Sequence, residues 1–98
     1  RENLEGRIEN VYTLKVTNKD QQDHIFVIEA DGLNGLTLAG KNKITAAAGE
    51  VLSIPVSVSV DIEDIPSSAN KIEFRVYSED DENIARSAES RFLGPTVR

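Results

Sequence analysis

Ninety-eight residues make one domain and leave no room for a second. The chain has no cysteine, which excludes disulfides, thiolate nucleophiles, cysteine-held iron–sulfur clusters and zinc–thiolate sites from it. A net charge of −6 opposes both a phosphate-neutralising nucleic-acid surface and contact with an anionic membrane.

The dominant pattern along the chain is alternation with period two, the mark of half-buried strands. In the run from Glu9 to Asn18, Tyr12, Leu14 and Val16 share one face and Thr13, Lys15 and Thr17 the other. The polar stretch Asn18 to Asp23 reads as a turn. His24 to Ala30 follows, with Phe26, Ile28 and Ala30 on one face, Ile25 and Val27 on the other, and Asp31-Gly32 closing the strand. Leu33 to Gly40 is short and punctuated by glycine, with Leu36 and Leu38 alternating; a brief strand is expected around Lys43 to Ala46. Ala48-Gly49-Glu50 reads as a tight turn.

Val51 to Val60 is the clearest strand: Leu52, Ile54, Val56, Val58 and Val60 form one face, and Ser53, Pro55, Ser57 and Ser59 the other. Proline has no N–H to give to a ladder, so Pro55 marks this strand as an edge or as bulged there. Asp61 to Asn70 is a longer connection. In Lys71 to Glu79, Ile72, Phe74 and Val76 face inward, and Asp80 to Asn83 make a charged turn. Ile84 to Phe92 is the last strand, with Ile84, Ala88 and Phe92 as its inward candidates. About seven short strands and no helical stretch predict an all-β, immunoglobulin-like β-sandwich; a small barrel is the alternative.

No catalytic, cofactor-binding or metal site is expected in these residues. His24, the single histidine, reads as a surface residue at a strand start, and its neighbour Asp23 makes no specific constellation with it. The acidic clusters Asp61-Glu63-Asp64 and Glu79-Asp80-Asp81-Glu82 read as solvated turns, because the second lacks the glycine and downstream glutamate of an EF-hand loop. No G-x-S-x-G elbow accompanies the serines, and Gly32-x-x-Gly35 lacks the strand–helix context and lysine of a phosphate loop.

The first run and the last carry a resemblance. Gly6-Arg7-Ile8-Glu9-Asn10-Val11-Tyr12-Thr13-Leu14-Lys15-Val16-Thr17-Asn18-Lys19 resembles the opening of the C-terminal domain of FixG-type proteins, also called CcoG, approximately G-x-I-E-N-x-Y-T-L-K-I-x-N-K. Val16 departs from the pattern's Ile, and both suit a buried strand. Gly32-Leu33-x-Gly35-Leu36 and Ala48-Gly49-Glu50 are similar to the middle of that domain, and Glu89-Ser90-Arg91-Phe92-Leu93-Gly94-Pro95 to its E-S-R-F-x-G-P ending.

The resemblance implies that residues 1–98 are one immunoglobulin-like domain at the end of a bacterial inner-membrane protein. That family is implicated in maturing the cbb-type cytochrome oxidase, with 4Fe-4S clusters and copper reduction or delivery in the parent protein. It implies a periplasmic domain, membrane attachment only through the upstream part, protein partners among the maturation machinery, and no cofactor in the fragment itself. The chain opens on Arg1, holds no methionine and has no apolar run of roughly 20 residues, so cutting from a longer chain is expected. The competing reading is a carbohydrate-binding or adhesin-type sandwich, whose aromatic platform would have to come from Tyr12 and Tyr77.

Overall fold

The computed structural model describes residues 6–95. Seven strands build two sheets: β1 (Arg7–Thr17), β2 (His24–Asp31), β3 (Thr37–Gly40), β4 (Lys43–Ala46), β5 (Val51–Asp61), β6 (Ala69–Ser78) and β7 (Ala85–Leu93). A single turn of 3-10 helix, Ile62–Asp64, interrupts the connection between β5 and β6. One sheet has the order β1-β5-β3, the other β4-β2-β6-β7, and all pairs are antiparallel. The two separate sheets make this a sandwich and not a barrel. Among the described residues no helix is long and apolar enough to cross a membrane.

The alternation sets the faces. In β1 and β5 the even-numbered side chains turn inward, and the register keeps them opposite one another: Tyr12 faces Val56, Leu14 faces Ile54 and Val16 faces Leu52. From the other sheet Phe26, Ile28, Ile72 and Phe74 meet them, and Phe92 closes the core from β7. Removing one such Val, Leu, Ile or Phe side chain from water is worth roughly 1.5–3 kcal/mol. β3 and β4 are separated only by Lys41 and Asn42, so a nearly continuous extended segment passes from one sheet to the other.

The expectation that Val51–Val60 is an edge strand needs correction. β5 lies between β1 and β3. Asn18 N–H donates to the Glu50 carbonyl at 2.9 Å, so in this register the even members of β5 bond to β1 and the odd members face β3. β3 ends with Gly40 opposite Val56. Pro55 therefore presents its missing donor one step beyond the end of β3, where no strand asks for it, and the register from Val51 to Asp61 runs without a bulge.

Candidate functional site

His24 is not a surface residue. It is the first residue of β2, it continues the inward series of Phe26 and Ile28, and only 4% of it is exposed. Its Nε2 lies 2.7 Å from Asp20 Oδ2, and its Nδ1 lies 3.2 Å from Asp80 Oδ1 and 3.0 Å from Ser78 Oγ. The Phe26 ring lies against it, 5.9 Å between centroids. Asp20 sits in the β1–β2 turn and Asp80 in the β6–β7 turn, so the imidazole ties two turns together at one end of the sandwich. Asp23, its neighbour in sequence, instead accepts the Ala48 N–H.

Serine, histidine and aspartate in contact resemble the parts of a nucleophilic triad, but the geometry forbids that chemistry. Ser78 is fully buried, and its hydroxyl donates to Asp80. A hydroxyl with no path to a substrate and its proton committed to a carboxylate is not an activated nucleophile. The cluster acts electrostatically. The hydrogen bond to Asp20, then that to Asp80, raises the His24 pKa above 6.5 against the opposing effect of burial. The hydrogen bond from His24 holds Asp20 below the usual carboxylate range. Asp80 is lowered first by the Ser78 hydroxyl and then by His24.

A pH dependence follows. A histidine whose folded pKa is raised contributes stability fully below its unfolded value, and that contribution is lost as pH rises through the folded pKa. The two aspartates contribute above their unfolded value and lose it as pH falls through their depressed pKa values. The urea midpoint should therefore fall as pH climbs from 6.5 into the weakly alkaline range. His24→Gln should lower the midpoint and flatten that limb. An undiminished slope in the variant would remove His24 as its cause.

The acidic clusters disperse. Asp61 accepts the Glu63 N–H as the cap of the 3-10 turn, and Asp64 accepts from Asn34. Glu79 pairs with Lys43, Asp80 belongs to His24 and Ser78, and Asp81 accepts the Asn83 N–H. Among the described residues no three potential metal ligands converge. The two tyrosines do not share a platform either. Tyr12 is turned inward, its ring edge-on to Phe74 with centroids 5.0 Å apart, and its hydroxyl donates to the Arg91 carbonyl. Tyr77 lies on the outer face of the other sheet, beneath the Arg75 guanidinium and bonded to Glu29.

The feature the sequence did not announce is a groove of about 640 Å³ between the sheets, opening between β1 and β7. Its apolar lining includes Leu14, Val16, Phe26, Phe74, Val76 and Ile84. The cause is the inner face of β7, which reads Arg86, Ala88, Ser90, Phe92: only the last is a large apolar group. Where Phe92 sits, the sandwich is shut. There the Asn10 side chain accepts the Leu93 N–H at 2.9 Å and donates to its carbonyl at 3.0 Å, and Tyr12 bonds to Arg91. Toward Ile84 to Ala88 nothing bridges the two edges, and the seam stands open. Ala88, expected to be buried, faces inward but is exposed to this opening.

The chain is similar throughout to known proteins. A family model described as "IG-like fold at C-terminal of FixG, putative oxidoreductase" matches residues 1–95. A FixG-related protein from Vibrio parahaemolyticus, known from a crystal structure, is 37% identical. The match covers 92% of this chain and 82% of that one, with a TM-score of 0.84. No curated protein matches. On a model match spanning nearly every residue, and a sandwich that superimposes on a FixG-related structure, the chain belongs to the family of immunoglobulin-like domains at the C-terminus of FixG.

Proposed function

We propose that this chain is the non-catalytic contact domain of a membrane-anchored iron–sulfur protein that takes part in maturing a cbb-type cytochrome oxidase. In this reading the domain stands on the periplasmic side, the clusters and the handling of copper belong to the upstream part, and the sandwich engages polypeptide. The observation that carries the reading is the groove: an apolar floor between two unpaired strand edges offers hydrogen bonds and burial to an extended chain, the geometry used in strand addition. The side chains best suited to chemistry, His24, Ser78, Asp20 and Asp80, are engaged in holding the sandwich together.

Removal of this domain from the parent protein tests the proposal in a strain that depends on the oxidase. The truncated parent is expected to accumulate in the membrane with its iron–sulfur absorption intact while active oxidase falls severalfold. Normal oxidase activity beside a normal level of truncated parent would refute the contact role. Loss of the cluster absorption itself would also refute it, since the domain would then serve the redox centre.

A further inference from the structure

The groove is the seat of a strand that residues 6–95 do not supply. Both of its flanks are open ladders. Ser78 N–H donates to the Ile84 carbonyl at 2.9 Å, so the even members of β7 bond to β6, and Ala85, Ser87 and Glu89 direct their N–H and carbonyl groups away from the sheet. By the same parity the even members of β1 bond to β5, and Thr13, Lys15 and Thr17 face outward. Each flank is an exposed edge about five residues long, the usual length of a strand. Extended backbone satisfies such edges; a helix, whose own N–H and carbonyl groups are already paired, does not.

The topology says which strand is missing. An immunoglobulin-like sheet begins with a first strand lying beside the second, at the edge of the sheet that also holds the fifth. Here the strand paired to β5 and crossing next to the opposite sheet is β1, and it has an empty edge. The strand order β1-β5-β3 thus corresponds to the immunoglobulin order with its first member absent. The crystallised relative is longer than the match, which covers 82% of that chain. From Gly6 the floor at Leu14 lies eight residues along β1, roughly 25 Å at strand spacing, so an occupant from the same polypeptide has to come from upstream of Arg1.

Charge gives its character. Lys15, Lys19 and Arg86 border the groove, and their side chains make no hydrogen bond or ion pair with the described residues. Lys43, Lys71 and Arg75 all have carboxylate partners elsewhere. The acidic residue in the lining, Asp20, is held by His24. In a chain of net charge −6, this is a cationic rim with no anion assigned to it.

We infer that the groove is filled by the segment preceding Arg1 in the parent protein, running as an added strand with apolar residues on alternate positions and carboxylates between them. The inference rests on the contact-domain reading and narrows it: the sandwich is clamped by its own connection to the membrane part, so partners meet it elsewhere on its surface.

The test is a version of the protein extended upstream with its native sequence by about twenty residues, enough for a turn and one strand of usual length. Compared with the 98-residue chain, it should melt at least about 8 °C higher, as expected for a gain of one to two kcal/mol in a domain of this size. Amide exchange should slow by roughly tenfold or more along Thr13, Lys15 and Thr17 or along Ala85, Ser87 and Glu89. The triple variant Lys15→Glu, Lys19→Glu, Arg86→Glu should fold alike in the short chain but lose much of the gain in the long one.

Equal melting and exchange in the two lengths would overturn the inference. So would a gain that appears only with dimerisation, which would put the strand in a second copy. Protection of the floor by dodecanoate in the extended chain, without protection of either edge, would mark an amphiphile site instead and overturn it too. Failure here leaves the oxidase-maturation result untouched. A harmless domain deletion, conversely, refutes the contact role and leaves the added strand standing.

Discussion

Replacing Phe92 with alanine is expected to cost about 3–5 kcal/mol of folding free energy, the range for emptying a buried phenylalanine site. In a domain of this size that lowers the melting midpoint by at least roughly 12 °C. The reason lies in β7. Phe92 is fully buried, and it is the sole large apolar side chain on the inner face of that strand, whose other inward residues are Arg86, Ala88 and Ser90. The strand is held to the core by this ring and to β1 by the Asn10 and Tyr12 hydrogen bonds. Without the ring, those polar bonds span a cavity, and the open seam lengthens toward the closed end. Leu93→Ala is the control. Leu93 is adjacent and of similar size but 58% exposed, and its bonds to Asn10 use only its backbone, so its loss should stay within about 0.5 kcal/mol. Urea titrations of the two variants decide the matter. Equal effects would mean that Phe92 does not anchor β7.

That contrast was legible in the sequence, because alternation states which side chains face in. The inner faces of β1, β5 and β6 followed from period two alone. His24 stood in the same inward series as Phe26, Ile28 and Ala30, two residues earlier, so its burial could have been read by extending the pattern back. Its partners could not: Asp80 is 56 residues away, and the two turns meet only when the sheets stack. Neighbour relations are likewise non-local. Pro55 correctly indicates a missing donor, but whether it marks an edge depends on where β3 stops, and nothing within Val51 to Val60 records that.

The motifs behind the family resemblance turn out to be stitches. Asn18 reads as a turn residue, yet it is 1% exposed. Its Nδ2 donates to the carbonyls of Gln22 and Ala46, and its Oδ1 accepts the Asp20 N–H, which positions the turn that delivers Asp20 to His24. Gly94 leaves no space for a side chain: a Cβ there would lie 2.7 Å from Ile65 Cγ2 and 2.9 Å from the Ser67 carbonyl. The groove, by contrast, arises from what β7 lacks. Small and charged inward residues read as an ordinary weak strand until the opposite edge is known to be open as well.

Gly32→Ala is the second large expected effect. The residue follows β2 with φ at +128°, a conformation L side chains rarely adopt. A Cβ would stand 2.8 Å from the Lys71 carbonyl oxygen and 2.9 Å from Ile72 Cα. Both are backbone atoms of β6, which is held on one side by β2 and on the other by β7, so neither can swing away. Strain at the dihedral and crowding against a fixed strand should each cost about 1–3 kcal/mol. Gly49→Ala separates the two contributions. Gly49 also has a positive φ, +75°, but nothing lies within 4 Å of its would-be Cβ. It should show the dihedral cost alone, about 1 kcal/mol. The excess at Gly32 then measures how firmly β6 is fixed, which is the rigidity that holds Phe74 and Val76 as the floor of the groove. If the two variants unfold at the same urea concentration, β6 yields to the added methyl group, and the floor is softer than its position in the sheet implies.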